Sequence, residues 1–243
     1  MNTAVDTRSL THSELEEALA SVRIPAYPAT VAEVMREAQK DEPQVKVLAR
    51  IISSDVGMSA LAVKLANSPM FGNGNPVKSV QQAVSRLGTK NILNVVIAVA
   101  LRNTTTGLPA DLMERFWART STLALATGVL ARRHIGISPD AAYTYALFHD
   151  AAIPVLMLNF PKYAEICGEA LHDPESLIPI EREHFNCDHA VVGWLLARSW
   201  GLPPLIASAI RYHHDPEVYI LPEKELPSDA LALIAVTVIT EHA

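Results

Sequence analysis

With 243 residues, 49% of them hydrophobic, the chain is long enough to build one large domain or two small ones, each with an ample core. Ten glycines and 6% aromatic residues argue against a sandwich or barrel made of many short strands. The formal charge is −6, the pI is near 5.8, and the densest basic cluster is Arg132-Arg133-His134, so a surface that tracks phosphates is excluded and no nucleic-acid partner is expected.

In chain order, residues 1–12 read as a loose, polar leader without signal-peptide or transit-peptide composition. Ser13-Glu14-Leu15-Glu16 fits a capping box that opens a short helix to about Ala20. After Pro25 and Pro28, Thr30 and Glu33 open another helix. Val45, Leu48, Ile51 and Ile52 then fall on one helical face. Asp55 starts the next helix, with Leu61, Leu65 and Ala66 inward. The run Asn67 to Pro76 contains Gly72-Asn73-Gly74-Asn75, which at first sight resembles a phosphate cradle. It lacks the Lys-Ser/Thr of a nucleotide loop and comes after no strand, so it reads as a turn. Ser79 caps a helix that Gly88 stops, and a longer apolar helix runs from Ile92 to Leu101.

Thr104 to Pro109 is the expected boundary between two halves, 13–106 and 107–243. A long helix runs from Asp111 to His134, and Ser138-Pro139 launches the helix expected to carry His149-Asp150. Those two residues and Pro154 interrupt the best apolar stretch, so no uninterrupted run of about 18 apolar residues exists and no membrane partner is expected. Amphipathic helices are expected over 161–171 and 174–185, and Asp188 caps a further one. Gly201-Leu202-Pro203-Pro204 ends that helix and starts another, which finishes at Tyr212-His213-His214-Asp215-Pro216; Ser228 caps the last helix. The fold class is therefore all-α. Cys167 and Cys187 form neither a disulfide framework nor a zinc knuckle. They read as small core residues in a reducing, cytoplasmic compartment.

Between Ala141 and Phe160 the only ionisable groups besides His149 and Asp150 are two tyrosines. Burying an imidazole and a carboxylate there is costly unless each finds a partner. The simple reading gives His149 a backbone carbonyl and makes Asp150 a helix cap. The alternative adds His189, His213 and His214, because neutral imidazoles with a carboxylate suit zinc, iron, manganese or nickel. None of the tight structural-zinc spacings is present. The remaining histidines, His12, His134, His172, His184 and His242, read as solvated surface.

Leu65-Ala66-Asn67-Ser68, Phe71-Gly72, Val77, Ser79, Ala83 and Leu87-Gly88 together resemble the signature of HDOD domains, an output module of the HD superfamily. The resemblance continues through Phe116-Trp117, Leu147-Phe148-His149-Asp150, Glu181-Arg182-Glu183-His184-Phe185, Asp188-His189, Gly193, Trp200, Leu202-Pro203 and His213-His214-Asp215-Pro216, covering roughly residues 15 to 240. It implies an HD-type helical bundle preceded by the helical addition peculiar to HDOD proteins. In catalytic HD hydrolases it also implies a first histidine ligand and a late aspartate, which fall here on Arg119 and Thr240. Arg119 puts a permanent cation where an imidazole is needed, and is expected to pair with Asp150 and so to be strongly stabilising. The expectation is a non-catalytic, cytoplasmic signalling module with no cofactor, its metal site (His149, Asp150, His189, His213, His214) vestigial. It would act on a separate signalling protein, with Asn67, Phe71 and Gly72 as the docking surface. The alternatives are a metal-dependent phosphohydrolase acting on a nucleotide or cyclic dinucleotide, using iron, manganese, zinc or nickel, and a nucleotide receptor without turnover.

Overall fold

The computed structural model describes residues 22–72, 74–134, 136–168, 170, 174–215, 217–220 and 226–243. The expected leader 1–12, the helix 13–20, His12, Asn73, His172 and Pro216 lie outside the described residues. Among the described residues the regular elements are helices, and no strand is present. The chain divides into two compact units, one formed by residues 26–147 with 235–243, the other by residues 1–25 with 148–234.

The unit 26–147 begins with α1 (Ala29–Ala38), α2 (Val45–Ser53) and α3 (Val56–Ala66), and continues into α4 (Val80–Thr104). Leu48, Ala49 and Ile52 form the buried face of α2, as their spacing requires. Asp55 caps α3 by accepting the Met58 N–H at 2.8 Å, and Ser79 caps α4 by accepting the Gln82 N–H at 3.2 Å. Within α4, Gly88 takes φ 71 and ψ 172, a region open almost only to glycine, so the helix breaks there as its sequence predicts. Beyond the break, Asn91, Ile92 and the run Asn94–Leu101 are all buried, and α1, α2 and α3 all pack against α4. A helix buried on every side needs no amphipathic stripe.

The stretch 104–109 does not separate the units; it is the turn from α4 into α5 (Ala110–Ala131). Packing keeps α5 with the preceding helices. Met70 is fully buried, and its sulfur lies 2.5 Å from where a Cβ on Gly128 of α5 would stand. Phe71 meets Tyr143 of α6 (Pro139–Phe148) edge to face at 5.8 Å. The loop itself is locked: Asn67 accepts the Val77 N–H at 2.7 Å and donates to the Val77 carbonyl at 2.9 Å. Arg86 donates to the carbonyls of Ala66 and Asn75.

The other unit contains α7 (Ile153–Asn159), α8 (Tyr163–Cys167), α9 (Pro174–Phe185), α10 (His189–Ser199) and α11 (Pro204–Tyr212). Of the expected helix 161–171, α8 covers five residues, and positions 169 and 171 lie outside the described residues. Helices α10 and α11 pack most closely, meeting at Gly193. Gly201, at φ 71, ends α10, and the Trp200 indole N–H anchors the incoming segment by donating to the Pro25 carbonyl at 2.8 Å. The last helix, α12 (Ser228–Glu241), begins in this unit and ends in the other. Segments 80–104 and 139–159 have the length and composition of membrane spans. However, 67% and 83% of their apolar windows are buried inside the protein, which accounts for their hydrophobicity.

Candidate metal centre

His149 and Asp150 are not inside a helix; they occupy the turn between α6 and α7. Helix α6 ends at Phe148, whose carbonyl accepts the Ala151 N–H at 3.1 Å, and Pro154 sits in the first turn of α7. Asp150 is therefore free of the capping role: the N-cap of α7 is Ala152, with no side-chain bond. The carboxylate faces histidines instead. Oδ2 lies 3.0 Å from His149 Nε2, while Oδ1 lies 3.6 Å from His189 Nε2 and 3.5 Å from His213 Nε2.

Each histidine is delivered by a helix end. Asp188 caps α10 through the Val191 N–H at 2.8 Å and is held by the Arg182 guanidinium at 2.7 Å, which places His189 at the first helical position, fully buried. Helix α11 ends at Tyr212, and His213 folds back so that its Nδ1 meets the Ile210 carbonyl at 2.7 Å. His214 lies beside His213, with ring centroids 4.0 Å apart and the planes tilted by 42°. One ligand atom from each of Asp150, His189, His213 and His214 falls within 4.8 Å of all the others.

Glu181 was not singled out from the sequence as a site residue, yet it is completely buried and bonded to the cluster. Its Oε2 accepts the His189 backbone N–H at 2.9 Å and meets His189 Nδ1 at 2.7 Å, while Oε1 accepts the Tyr163 hydroxyl. A signal was present: Leu177, Ile178, Glu181 and Phe185 fall on one buried face of α9, so a carboxylate occupies a position in the apolar stripe.

Burial opposes ionisation of Asp150, but His149 first, then His213 and His189, outweigh it and hold the carboxyl well below the usual range. Burial also pushes His213 and His214 down, keeping both imidazoles in the neutral form that can donate a lone pair. His189 is different. Burial alone would lower it, but Glu181 raises it to about 9, so an ion at Nε2 would displace a proton there while Nδ1 keeps its own.

The donors suit a divalent ion. Metal–ligand bonds of about 2.1 Å in tetrahedral geometry set ligand atoms about 3.4 Å apart. The observed separations from Asp150 Oδ1 are 3.6 and 3.5 Å. No hydrogen bond reaches His189 Nε2 or His213 Nε2, both buried, so each has a lone pair or proton directed at the space beside Asp150. Of the five residues expected in the set, four cluster this closely, and His149 is held on the other oxygen of Asp150.

The two positions matched to missing ligands are occupied in other ways. Arg119, its side chain 60% exposed, reaches Glu241 at 4.0 Å. The Thr240 hydroxyl donates to the Val236 carbonyl at 2.7 Å. Among the residues expected to dock a partner, the Asn67 side chain is committed to Val77, Phe71 packs on Tyr143, and Gly72 is exposed. His134, His184 and His242 are exposed, as expected.

Comparisons with known proteins agree with this architecture. A Treponema pallidum protein of uncharacterised function is 27% identical over 209 residues, 81% of this chain. The chain spans only 39% of that relative's length. An HDOD domain protein of unknown function from Geobacter sulfurreducens superposes with a TM-score of 0.68 at 23% identity, covering 95% of this chain and 77% of that one. A Shewanella amazonensis protein provisionally named a phosphohydrolase gives 0.68 at 26% identity, covering 95% and 81%. The HDOD domain family model matches residues 24–216, a span that enters both compact units and takes in every histidine and carboxylate of the cluster, and the chain belongs to that family.

Proposed function

We propose that this chain is a non-catalytic regulatory module that holds one divalent ion at Asp150, His189, His213 and His214 and acts through contacts with a separate signalling protein. The observation that carries this reading is the fate of the two remaining ligand positions. Arg119 is a solvated cation paired with Glu241, and the Thr240 hydroxyl is committed to its own helix. Arg119 has no lone pair for a metal, and Thr240 has a hydroxyl where the family pattern has a carboxylate. Three imidazoles and one carboxylate are enough to hold an ion. Hydrolysis by a two-metal site requires further ligands to clamp both the attacking and the leaving oxygen. When bound, the ion would supply Lewis acidity and tie together three helix ends. The chain's own contribution is to keep His213 and His214 neutral and Asp150 ionised.

Two buried free cysteines, with the Cys167 thiol pushed up to about 11 mainly by burial, fit a reducing, cytoplasmic setting. The second reading, a metal-dependent phosphohydrolase acting on a nucleotide or cyclic dinucleotide, is favoured by the four ligand atoms lying within 4.8 Å of one another. Elemental analysis of purified protein combined with a generic phosphodiester assay separates the two. About one equivalent of iron, manganese, zinc or nickel without turnover is the expected result. Metal-dependent hydrolysis that disappears in Asp150→Asn would replace the regulatory reading with the enzymatic one.

A further inference from the structure

We propose that Glu181 is the positioning residue of this centre: it fixes the proton of His189 on Nδ1 and so presents Nε2 as the ligand, with Tyr163 holding Glu181 in place. The role rests on the metal reading above and assigns the device that orders one of its ligands.

The hydrogen-bond arrangement determines the tautomer. Glu181 receives donors on both oxygens, from the Tyr163 hydroxyl on Oε1 and the His189 backbone N–H on Oε2. With the Tyr163 hydroxyl on one oxygen and a backbone N–H on the other, Glu181 is placed as the acceptor of this arrangement. The hydrogen is accordingly assigned to His189 Nδ1, which meets Oε2 at 2.7 Å. That leaves Nε2 directed at Asp150 Oδ1, 3.6 Å away, with no hydrogen bond of its own. The ring cannot flip without breaking the shortest contact it makes.

A purely structural role would not call for this chemistry. Glu181 is on the apolar face of α9, flanked by Leu177, Ile178 and Phe185, where an aliphatic side chain would pack without burying a charge. The Tyr163 ring lies against Phe185 at 5.4 Å, which fixes the direction of its hydroxyl toward Glu181. His213 is arranged differently, its Nδ1 held by the neutral carbonyl of Ile210 at 2.7 Å. The two histidines are thus unequal donors. A carboxylate behind an imidazole raises its strength as a ligand more than a carbonyl does.

The test uses the whole chain and cobalt(II) or zinc(II) alone, with dissociation constants measured by competition against a chromophoric chelator. Glu181→Gln keeps the shape and removes the charge, and should weaken metal binding about 10–100-fold and shift the cobalt d–d bands. Equal dissociation constants in both proteins, with only a lower melting temperature for the metal-free variant, would reduce Glu181 to a structural residue and overturn the inference alone. Absence of metal binding by the wild-type chain would overturn the metal reading and this role together. Assigned long-range 1H–15N spectra of zinc-loaded wild-type protein provide a measurement that depends on no variant folding. His189 should show a protonated Nδ1 and a metal-bound Nε2, and coordination through Nδ1 would refute the proposal.

Discussion

At the scale of single residues, Arg119 shows how much a substitution's consequence depends on where its side chain ends. A guanidinium compensating a buried carboxylate would be costly to remove, because it would leave an uncompensated charge behind. The Arg119 side chain is 60% exposed and stands 4.0 Å from Glu241, whereas Asp150 is balanced by imidazoles. Exposed pairs of this kind contribute roughly 0–1 kcal/mol. Arg119→Ala should therefore cost less than about 1 kcal/mol in urea denaturation. That is the opposite of the strong destabilisation its sequence position suggests. A loss of about 3 kcal/mol or more would show that the cation balances a buried charge.

At the scale of elements, the centre depends on how closely α10 and α11 approach. A Cβ on Gly193 would stand 2.8 Å from Ile210 Cγ2 and 3.6 Å from both Ala152 Cβ and the His149 carbonyl oxygen. Ile210 also supplies the carbonyl that orients His213. Pushing α11 outward would thus disturb packing and a ligand through the same residue. We expect Gly193→Ala to lower stability by about 1–3 kcal/mol in chemical denaturation, the usual range for overpacking a tight contact. It should also weaken zinc binding measured by calorimetry. Unchanged zinc affinity in the folded variant would show that His213 is not positioned by the α10–α11 contact.

At the scale of the molecule, the chain leaves one compact unit at residue 147, contributes all four clustered candidate ligands from the other, and returns at residue 235. An ion held by residues spread from Asp150 to His214 would favour the folded state over the unfolded chain. Zinc at a hundred times its dissociation constant should add about 2.7 kcal/mol to unfolding, and chelation should remove that gain. Asp150→Asn should show neither effect. Thermal and urea melts with and without chelator check this directly, and a melt insensitive to both would argue against a bound ion.

The helical fold was legible because its signals are local. Caps at Asp55, Ser79 and Asp188, the break at Gly88 and the stop at Gly201 each act within one or two turns of their own residue. The candidate ligands were legible for a related reason: few residue types bind metals, and they stand out against an apolar background. Three features required the folded chain. Residues 104–109 look like a divider by composition, but Met70 packed against Gly128 ties helix α5 to the loop that closes α3, a contact between positions 58 residues apart. The His149-Asp150 turn faces inward because α10 and α11 bring imidazoles to it, leaving Asp150 no need to cap α7. Glu181 becomes part of the centre only when α9 lies beside the start of α10. A buried carboxylate takes its role from the donors that reach it, and packing decides which donors those are.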